Sequence, residues 1–253
     1  MSNTNQFDPN SYEFNSNSKI GIYLIHGFSS TTCELKQMAD NLSKAGHHVV
    51  LNNLPGHGTN LEDCNNTKYQ DWLDYSKIEF AKLCSQSDKV FLIGHSMGGV
   101  VALYLSSIFP VTGLIVGGTV LKFKLHFSTN YVNRLLCRII KTRKKKLVAD
   151  KSIRDSLTFY GYQSYPLIAL NEFRKMNIYV KKQLNKIKSP ILIIHSKQDQ
   201  VSIKDNVEII QSLVKSGNKE VLEVENAPHS LFHNNEDTEL IFQHCLNFIN
   251  KYI

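Results

Sequence analysis

The sequence predicts an α/β fold in which a doubly wound, mostly parallel sheet carries helices on both faces. Apolar segments of strand length recur along the chain, and most are followed by a segment with helical periodicity. These apolar segments do not alternate with polar residues, so we expect strands that are buried on both faces. The 253 residues, 42% of them hydrophobic, suffice for one such domain and an inserted subdomain.

The elements follow one another in the β-α order that is typical of this fold class. Gly46 ends the first helix, and short links join most of the others. The predicted strands are residues 20–25, 48–51, 89–93, 111–116, 190–194 and 221–224. The predicted helices are residues 33–45, 69–84, 98–109, 204–215 and 239–252.

The alternation stops between residues 119 and 188, where helix-like runs cover 131–149 and 168–184. An excursion of this length between two core strands is expected to form an inserted lid. The interval from 120 to 188 contains 17 Lys and Arg residues against three acidic ones, whereas the rest of the chain is acidic overall. We expect a core of residues 18–118 and 189–253, a basic helical lid of residues 119–188, and a flexible tail of residues 1–17.

The expected location is the cytoplasm. The five cysteines are odd in number and scattered, which argues against a disulfide framework. The first residues are rich in Asn and Ser, and no segment is apolar for long enough to serve as a signal peptide or to span a bilayer.

The motif that carries chemistry is Gly94-His95-Ser96-Met97-Gly98, a G-x-S-x-G pattern. A predicted strand runs directly into it and a predicted helix runs directly out. A nucleophile at such a turn has a strained backbone, so small neighbours are needed, and Gly94 and Gly98 supply the space. We therefore predict that Ser96 is a nucleophile beside a helix N-terminus, where developing negative charge is stabilised.

The chain resembles carboxylesterases and monoacylglycerol lipases of the α/β-hydrolase family over nearly its whole length. The resemblance rests on motifs in the family's order: His26-Gly27-Phe28, Pro55-Gly56-His57-Gly58, Gln70-Asp71-Trp72, Gly94-His95-Ser96-Met97-Gly98-Gly99, Ser196-Lys197-Gln198-Asp199 and Ala227-Pro228-His229. It implies the α/β-hydrolase fold with an inserted helical lid.

A serine nucleophile needs a base and an acid that orients the base. In this fold the acid follows the serine and the histidine comes last. Asp199 lies just past a core strand and is the predicted acid, with Asp205 as the alternative. His229, in a loop after the last strand, is the predicted base, with His233 as the alternative.

The predicted oxyanion hole consists of backbone N–H groups. Met97 follows the nucleophile, and the resemblance assigns the second donor to Phe28, whose ring is also expected at the substrate pocket. His26 and His95 flank motif glycines and are predicted to shape this pocket as substrate-binding residues. We expect no cofactor and no metal, because no histidine or carboxylate stands at ligand spacing from His57.

The run Lys141-Thr142-Arg143-Lys144-Lys145-Lys146 places five cations beside a predicted helix with an apolar stripe. It is either a solvated surface or a surface that rests on anionic lipid, so we expect a cytoplasmic protein that can bind peripherally to a membrane. A third interpretation is that this basic run attracts anionic substrates. Nucleic-acid binding is not expected, because the run lacks interleaved aromatic residues.

The resemblance implies a serine carboxylic-ester hydrolase that acts through an acyl-enzyme on esters with a medium or long acyl chain. Thioesterase, lysophospholipase and acyltransferase activities need the same three residues and stay open. A ligand-binding protein without turnover on the same scaffold is the alternative from another functional class.

Overall fold

A computed structural model of the chain describes residues 7–145 and 161–253. Within these ranges seven strands form one sheet in the order β1-β3-β2-β4-β5-β8-β9, and β6 and β7 form a separate antiparallel pair. In the large sheet only β1 is antiparallel to its neighbour. The strands are β1 (Tyr12–Phe14), β2 (Ile20–Ile25), β3 (His48–Leu51), β4 (Lys89–His95), β5 (Gly113–Gly117), β6 (Thr142–Lys144), β7 (Ser164–Pro166), β8 (Ile191–Ser196) and β9 (Lys219–Val224).

Helices cover both faces of the sheet. Alternate residues of β2 belong to two separate apolar clusters. Tyr23 and Ile25 pack with the helices of residues 69–86 and 97–108, whereas Ile22 and Leu24 pack with those of residues 36–44 and 238–252. The doubly wound α/β fold is thus confirmed. The α-helices of the described ranges are α1 (Lys36–Lys44), α2 (Leu61–Asn66), α3 (Tyr69–Gln86), α4 (Met97–Ile108), α5 (Asn133–Leu136), α6 (Leu167–Lys181), α7 (Asp205–Leu213) and α8 (Thr238–Tyr252).

In residues 7–145 and 161–253, no helix combines the length and the apolar character that crossing a membrane requires.

The prediction of a flexible tail over residues 1–17 is wrong for residues 12–14. Tyr12–Phe14 form the edge strand β1, whose residues pair with β3 from Tyr12 opposite Leu51 to Phe14 opposite Val49. The Tyr12 and Phe14 rings stack 6.0 Å apart on one face of this strand and pack on the core. A strand of only three residues, surrounded by many Asn and Ser residues, has too short an alternating pattern to be predicted from the sequence.

The excursion from the sheet lies between β5 and β8, which pair directly with each other. We call residues 118–190 the β5–β8 insertion. Its described parts contain a π-helical turn (Ser128–Val132), α5, β6, β7 and α6. The helix predicted over residues 168–184 matches α6.

The helix predicted over residues 131–149 is wrong beyond Leu136 in the described part of the chain. Thr142–Lys144 form β6 instead, paired with β7 so that Arg143 lies opposite Tyr165. The two cations Arg143 and Lys145 lie over the Tyr165 ring, a contact between residues distant in sequence that local periodicity does not reveal. Lys146, the last cation of the run, and the rest of the predicted helix lie outside the described residues.

Asn65 on α2 fastens both described arms of the β5–β8 insertion to the core. Its Nδ2 donates to the carbonyl of Lys141 at 3.0 Å, just before β6. Its Oδ1 accepts from the amides of Ile168 and Ala169, at 3.0 and 3.3 Å, in the first turn of α6. One buried amide side chain therefore holds both β6 and α6 against α2, in addition to the packing of α6 in the core.

Phe80 is expected to be one of the side chains on which stability depends most. It is fully buried on α3, where its ring contacts those of Tyr23 and Phe109. Phe80→Ala should lower the free energy of unfolding by about 3–5 kcal/mol, measured by urea denaturation. Ile78→Ala on the same helix, where Ile78 is 54% exposed, should lower it by less than about 1 kcal/mol. Equal losses in the two variants would contradict this account of the core.

Candidate active site

Ser96 lies at the sharp turn between β4 and α4, with backbone φ 55° and ψ −113°. Positive φ is unfavourable for a serine, and such strain persists only where the surroundings enforce it. The flanking glycines allow the close backbone contacts that hold Ser96 in this conformation. A Cβ on Gly98 would lie 2.0 Å from the carbonyl oxygen of Ile25, and one on Gly94 would lie 2.4 Å from that of Gly98. The G-x-S-x-G spacing therefore reflects backbone contact between this turn and β2.

Three side chains from distant parts of the sequence form one hydrogen-bonded chain. His229 Nε2 lies 3.0 Å from Ser96 Oγ, and His229 Nδ1 lies 2.7 Å from Asp199 Oδ2. Because the carboxylate can only accept, Nδ1 carries the proton and Nε2 is free to accept from the serine hydroxyl. Such an arrangement can draw a proton from Ser96 as its oxygen attacks an electrophile.

Asp199 is held in its charged form. Burial acts to raise the pKa of Asp199, but the charge of His229 and the hydrogen bonds from its ring and from two backbone amides outweigh burial and hold that pKa below its usual range. The amides are those of Val201 and Ser202, which donate to Oδ1 at 2.7 and 2.9 Å. Oδ2 is thereby left for His229.

The loops that carry Asp199 and His229 are joined to each other. Ser196 Oγ donates to the carbonyl of Ala227 and accepts from the amide of Gln198 at 3.1 Å. On the other side, Asp237 Oδ2 accepts from the amides of Asn226 and Ala227, each at 2.8 Å. These contacts fix the position of His229 through its backbone, independently of its ring.

A buried ion pair lies beneath the serine. His95, fully buried, donates from Nε2 to the carbonyl of His229 at 2.7 Å, and its Nδ1 lies 3.2 Å from Glu34 Oε2. Glu34 Oε2 also accepts from the amide of Gly27 at 2.6 Å. Burial acts to raise the pKa of Glu34, but the charge and hydrogen bond of His95 outweigh it and lower this pKa to about 2.

His26 is buried beneath the loop after β2 and does not line the cavity. Its Nε2 accepts from the amide of Leu54 at 3.0 Å, and its Nδ1 donates to the carbonyl of Gly27 at 2.9 Å. Burial lowers the pKa of His26, so the ring is neutral, in the tautomer these two bonds require. The prediction that His26 and His95 contact substrate does not fit their positions, because both rings support the site from below.

The amides of Phe28 and Met97 are unused as donors within the described residues. Met97 is the first residue of α4, where the helix leaves N–H groups without intrahelical partners. Phe28 follows Gly27, where an added Cβ would lie 3.1 Å from Ser96 Cβ. Its ring packs 5.6 Å from that of Phe173 and also lines the cavity described below.

A cavity of about 570 Å³ opens above Ser96 and His229. The core contributes Phe28 and Val201 to its wall, and the β5–β8 insertion contributes most of the remaining apolar side chains. Charged side chains also reach it from β6 and its C-terminal neighbour. The lining from the insertion consists of Val120, Phe123, Lys124, Leu125, Thr129, Arg143, Lys145, Tyr165, Leu170 and Phe173.

The structure separates the predicted site residues from their alternatives. Asp205 pairs with Lys122 at 2.6 Å on the surface, whereas Asp199 contacts His229. Of His229 and His233, it is His229 that bonds to Ser96. His57 accepts from the amide of Ser29 at 3.1 Å and has a loop-supporting position. Sequence reasoning missed Glu34, since an acidic residue in a predicted surface helix gives no sign that it is buried.

The comparisons with known proteins agree with the fold and the motifs. A family model described as Hydrolase_4, serine aminopeptidase S33, matches residues 16–237. A thermostable monoacylglycerol lipase of Bacillus sp. (strain H-257) is 27% identical over 237 residues, covering 93% of this chain and 92% of its own. The phospholipase YtpA of Bacillus subtilis (strain 168) is also 27% identical, over 92% of this chain and 95% of its own.

Among solved structures, a chain from the work on LipS and LipT, two metagenome-derived lipolytic enzymes, superposes with a TM-score of 0.86. It is 24% identical in sequence, and the match covers 98% of this chain and 100% of that one. This likeness bears on the fold alone. Together with the family match, it confirms the resemblance to α/β-hydrolases that the motifs indicate.

The charge of Glu34 should make stability depend on acidity. Its pKa of about 2 lies below the 4.5 of an unperturbed Glu, so its contribution is complete above pH 4.5 and is lost as the pH falls toward 2. Wild type should therefore lose about 2 kcal/mol more unfolding free energy than Glu34→Gln/His95→Gln between about pH 5 and pH 3. The double variant is the reference because the buried His95, without Glu34, would itself lose stability on protonation. Urea denaturation across this range measures the difference. Glu62→Gln, at an exposed position on α2, should follow wild type; if the double variant did so too, the charge would have no such role.

Proposed function

The chain belongs to the Hydrolase_4 (serine aminopeptidase S33) family, and from the geometry of its site we propose that it is a serine carboxylic-ester hydrolase. The observation that carries the proposal is the hydrogen-bonded chain from Ser96 through His229 to Asp199, which opens into a largely apolar cavity. Two relatives that match more than nine-tenths of the chain are a monoacylglycerol lipase and a phospholipase, which supports ester rather than peptide bonds as the target.

The proposed reaction has two halves. Ser96 Oγ attacks the ester carbonyl while its proton passes to His229 Nε2, and Asp199 stabilises the imidazolium that forms. The tetrahedral oxyanion accepts hydrogen bonds from the amides of Phe28 and Met97. His229 then gives its proton to the departing alcohol, which leaves an acyl-enzyme on Ser96. Water, deprotonated by His229, attacks this ester. His229 then returns the proton to Ser96 Oγ as the bond between Oγ and the acyl carbon breaks, which releases the carboxylic acid and the free serine.

The cavity favours a medium or long acyl chain. Its volume of about 570 Å³ is in the range that encloses a small-molecule ligand. Phe123 and Phe173 pack edge to face 5.2 Å apart and, with Leu170, form an apolar wall that an acyl chain can cover. We propose that residues 119–188 act as a lid over this cavity, since most of this wall comes from them.

Thioesters and lysophospholipids present the same carbonyl to the serine, and an acyltransferase would replace water by another alcohol. The phospholipase among the relatives specifically favours the lysophospholipase alternative. A ligand-binding protein without turnover has no need for the spacing of 3.0 Å between Ser96 and His229. No cofactor enters the proposed reaction.

We also propose that the insertion makes peripheral contact with anionic lipid, so that a cytoplasmic enzyme would work at a membrane surface. Leu135 and Ile139 are 75% and 79% exposed, and Leu125 and Phe127 on the same insertion are more than half exposed. Exposed apolar side chains at such density are typical of an interaction surface. Lys141 is exposed nearby and would face anionic headgroups. Arg143 and Lys145 instead line the cavity, and Lys146 lies outside the described residues.

The enzyme assignment predicts covalent labelling at one residue. A fluorophosphonate probe should label wild type and fail to label Ser96→Ala, because the probe reacts with an activated serine hydroxyl. Hydrolysis of p-nitrophenyl decanoate should fall by more than about a thousandfold in Ser96→Ala. Ser107→Ala, on the same helix but remote from the cavity, is the control and should keep both properties.

The same assay tests the acyl preference. Wild type should have a kcat/KM for the decanoate at least about tenfold above that for the acetate, since the longer chain buries more apolar surface. A wild-type protein that neither reacts with the probe nor hydrolyses any acyl ester would overturn the enzyme assignment.

The lipid contact predicts a loss of vesicle binding when the exposed apolar side chains become polar. Wild type should sediment with vesicles that contain phosphatidylserine. Leu135→Gln/Ile139→Gln should bind at least about tenfold more weakly, because two buried aliphatic side chains are lost from the contact. Ile78→Gln, at an exposed isoleucine on α3, is the matched control. Unchanged sedimentation of the double variant would contradict the proposed contact.

A further inference from the structure

Strand β6 divides the basic run between two faces. Arg143, although exposed, and the half-buried Lys145 line the cavity that contains Ser96, whereas the exposed Lys144 does not line it. Side chains alternate along a strand, and the pairing continues one residue past β6, because the amide of Lys145 donates to the carbonyl of Gln163 at 3.1 Å. The alternation of side chains along the strand therefore places Arg143 and Lys145 toward the cavity and Lys144 away from it.

Both cations are positioned by the same aromatic ring. The guanidinium carbon of Arg143 lies 5.9 Å from the ring centroid of Tyr165, and Lys145 Nζ lies 5.3 Å from it. Tyr165 itself lines the cavity and lies opposite Arg143 in the β6–β7 pair. Within residues 7–145 and 161–253, no carboxylate comes within ion-pair distance of either cation.

The acidic residue in the cavity wall does not neutralise this pair. Glu34 is 7% exposed, and its charge is already compensated by His95 at 3.2 Å and by the amide of Gly27. Burial lowers the pKa of Lys145 to about 8, while Glu34 acts in the opposite direction. Lys145 is therefore largely protonated at neutral pH. Lys124 also lines the cavity, where its Nζ donates to Gln200 Oε1 at 2.9 Å, so the described wall carries three cations. Of these, Arg143 and Lys145 lie together on the Tyr165 ring.

The rest of the wall is largely apolar. Phe28, Phe123 and Phe173 pack on one another there. The segment that carries Tyr165 is joined to the loop that carries Phe28, because the amide of Tyr162 donates to the carbonyl of Ser29 at 3.0 Å. Cations and apolar rings thus line one cavity, which suits a ligand that combines an apolar chain with a negative charge.

We propose that Arg143 and Lys145 form an anion subsite that binds a phosphate or carboxylate on the alcohol part of the ester. This inference rests on the proposed function for the position of the scissile bond. The preferred substrates would then be anionic monoacyl esters, such as lysophosphatidate, rather than neutral monoacylglycerols. A planar guanidinium and an ammonium group on one wall suit either anion, through charge-assisted hydrogen bonds.

The hydrolytic test compares three decanoyl esters below their micelle concentrations: 1-decanoylglycerol, its 3-phosphate, and 3-decanoylglycerate. Arg143→Gln/Lys145→Gln should lower kcat/KM for at least one of the two anionic esters by about 30-fold, and that for the neutral ester by less than about threefold. The arm with the larger loss identifies phosphate or carboxylate as the anion. Lys144→Gln, which removes a charge from the other face of the same strand, should leave all three values near those of wild type.

A binding test examines the subsite in a variant that cannot hydrolyse esters. Calorimetry on Ser96→Ala should show decyl phosphate or decanoate binding at least about tenfold more tightly than decanol, and Arg143→Gln/Lys145→Gln should remove that preference. If this preference holds while wild type hydrolyses no ester, the proposed function fails and the subsite stands. If Lys144→Gln matches the double variant, or if the double variant loses neutral and anionic esters equally while keeping its thermal unfolding midpoint, the subsite is wrong.

Discussion

The buried carboxylate of Glu34 is the contact on which the geometry of the site depends. It reaches the loop after β2 through the amide of Gly27 and the serine turn through His95, which in turn bonds to the carbonyl of His229. Three loops around the reactive groups are thus connected through Glu34 and His95. A charge can be buried at this depth only when it is paired and hydrogen-bonded. The loss of either the Gly27 or the His95 contact would therefore destabilise the buried carboxylate.

The sheet brings these loops together before any side chain acts. Strands β2, β4, β5, β8 and β9 run parallel, so their carboxyl ends meet along one edge. Ser96, Asp199 and His229 each follow one of these strands. The serine turn then approaches β2 so closely that only a glycine fits at position 98. Fold and reactivity are linked here through backbone contact, which explains why the glycines are as informative as the serine.

Sequence reasoning succeeded where the signal was local or carried by order along the chain. The parallel strands were visible as unbroken apolar runs, and the turn around Ser96 followed from a strand, two glycines and a helix. It failed for β6, because a run of cations with apolar residues at helical spacing favours a helix locally, whereas pairing with β7 and contact with Tyr165 decide the outcome. His95 was expected to contact substrate, but its partner Glu34 is distant in sequence and its burial is a tertiary property.

Asn65 has a consequence for how such a protein diversifies. The groups proposed to carry out proton transfer and oxyanion binding all belong to the sheet and its loops, while most of the wall around the ligand belongs to the β5–β8 insertion, of which Asn65 holds both described arms. Substitutions in β6 or α6 can therefore change which molecule is accepted without disturbing the reactive groups, provided that the hydrogen bonds of Asn65 are kept. Selectivity and reactivity lie on parts of the chain that can vary separately during evolution.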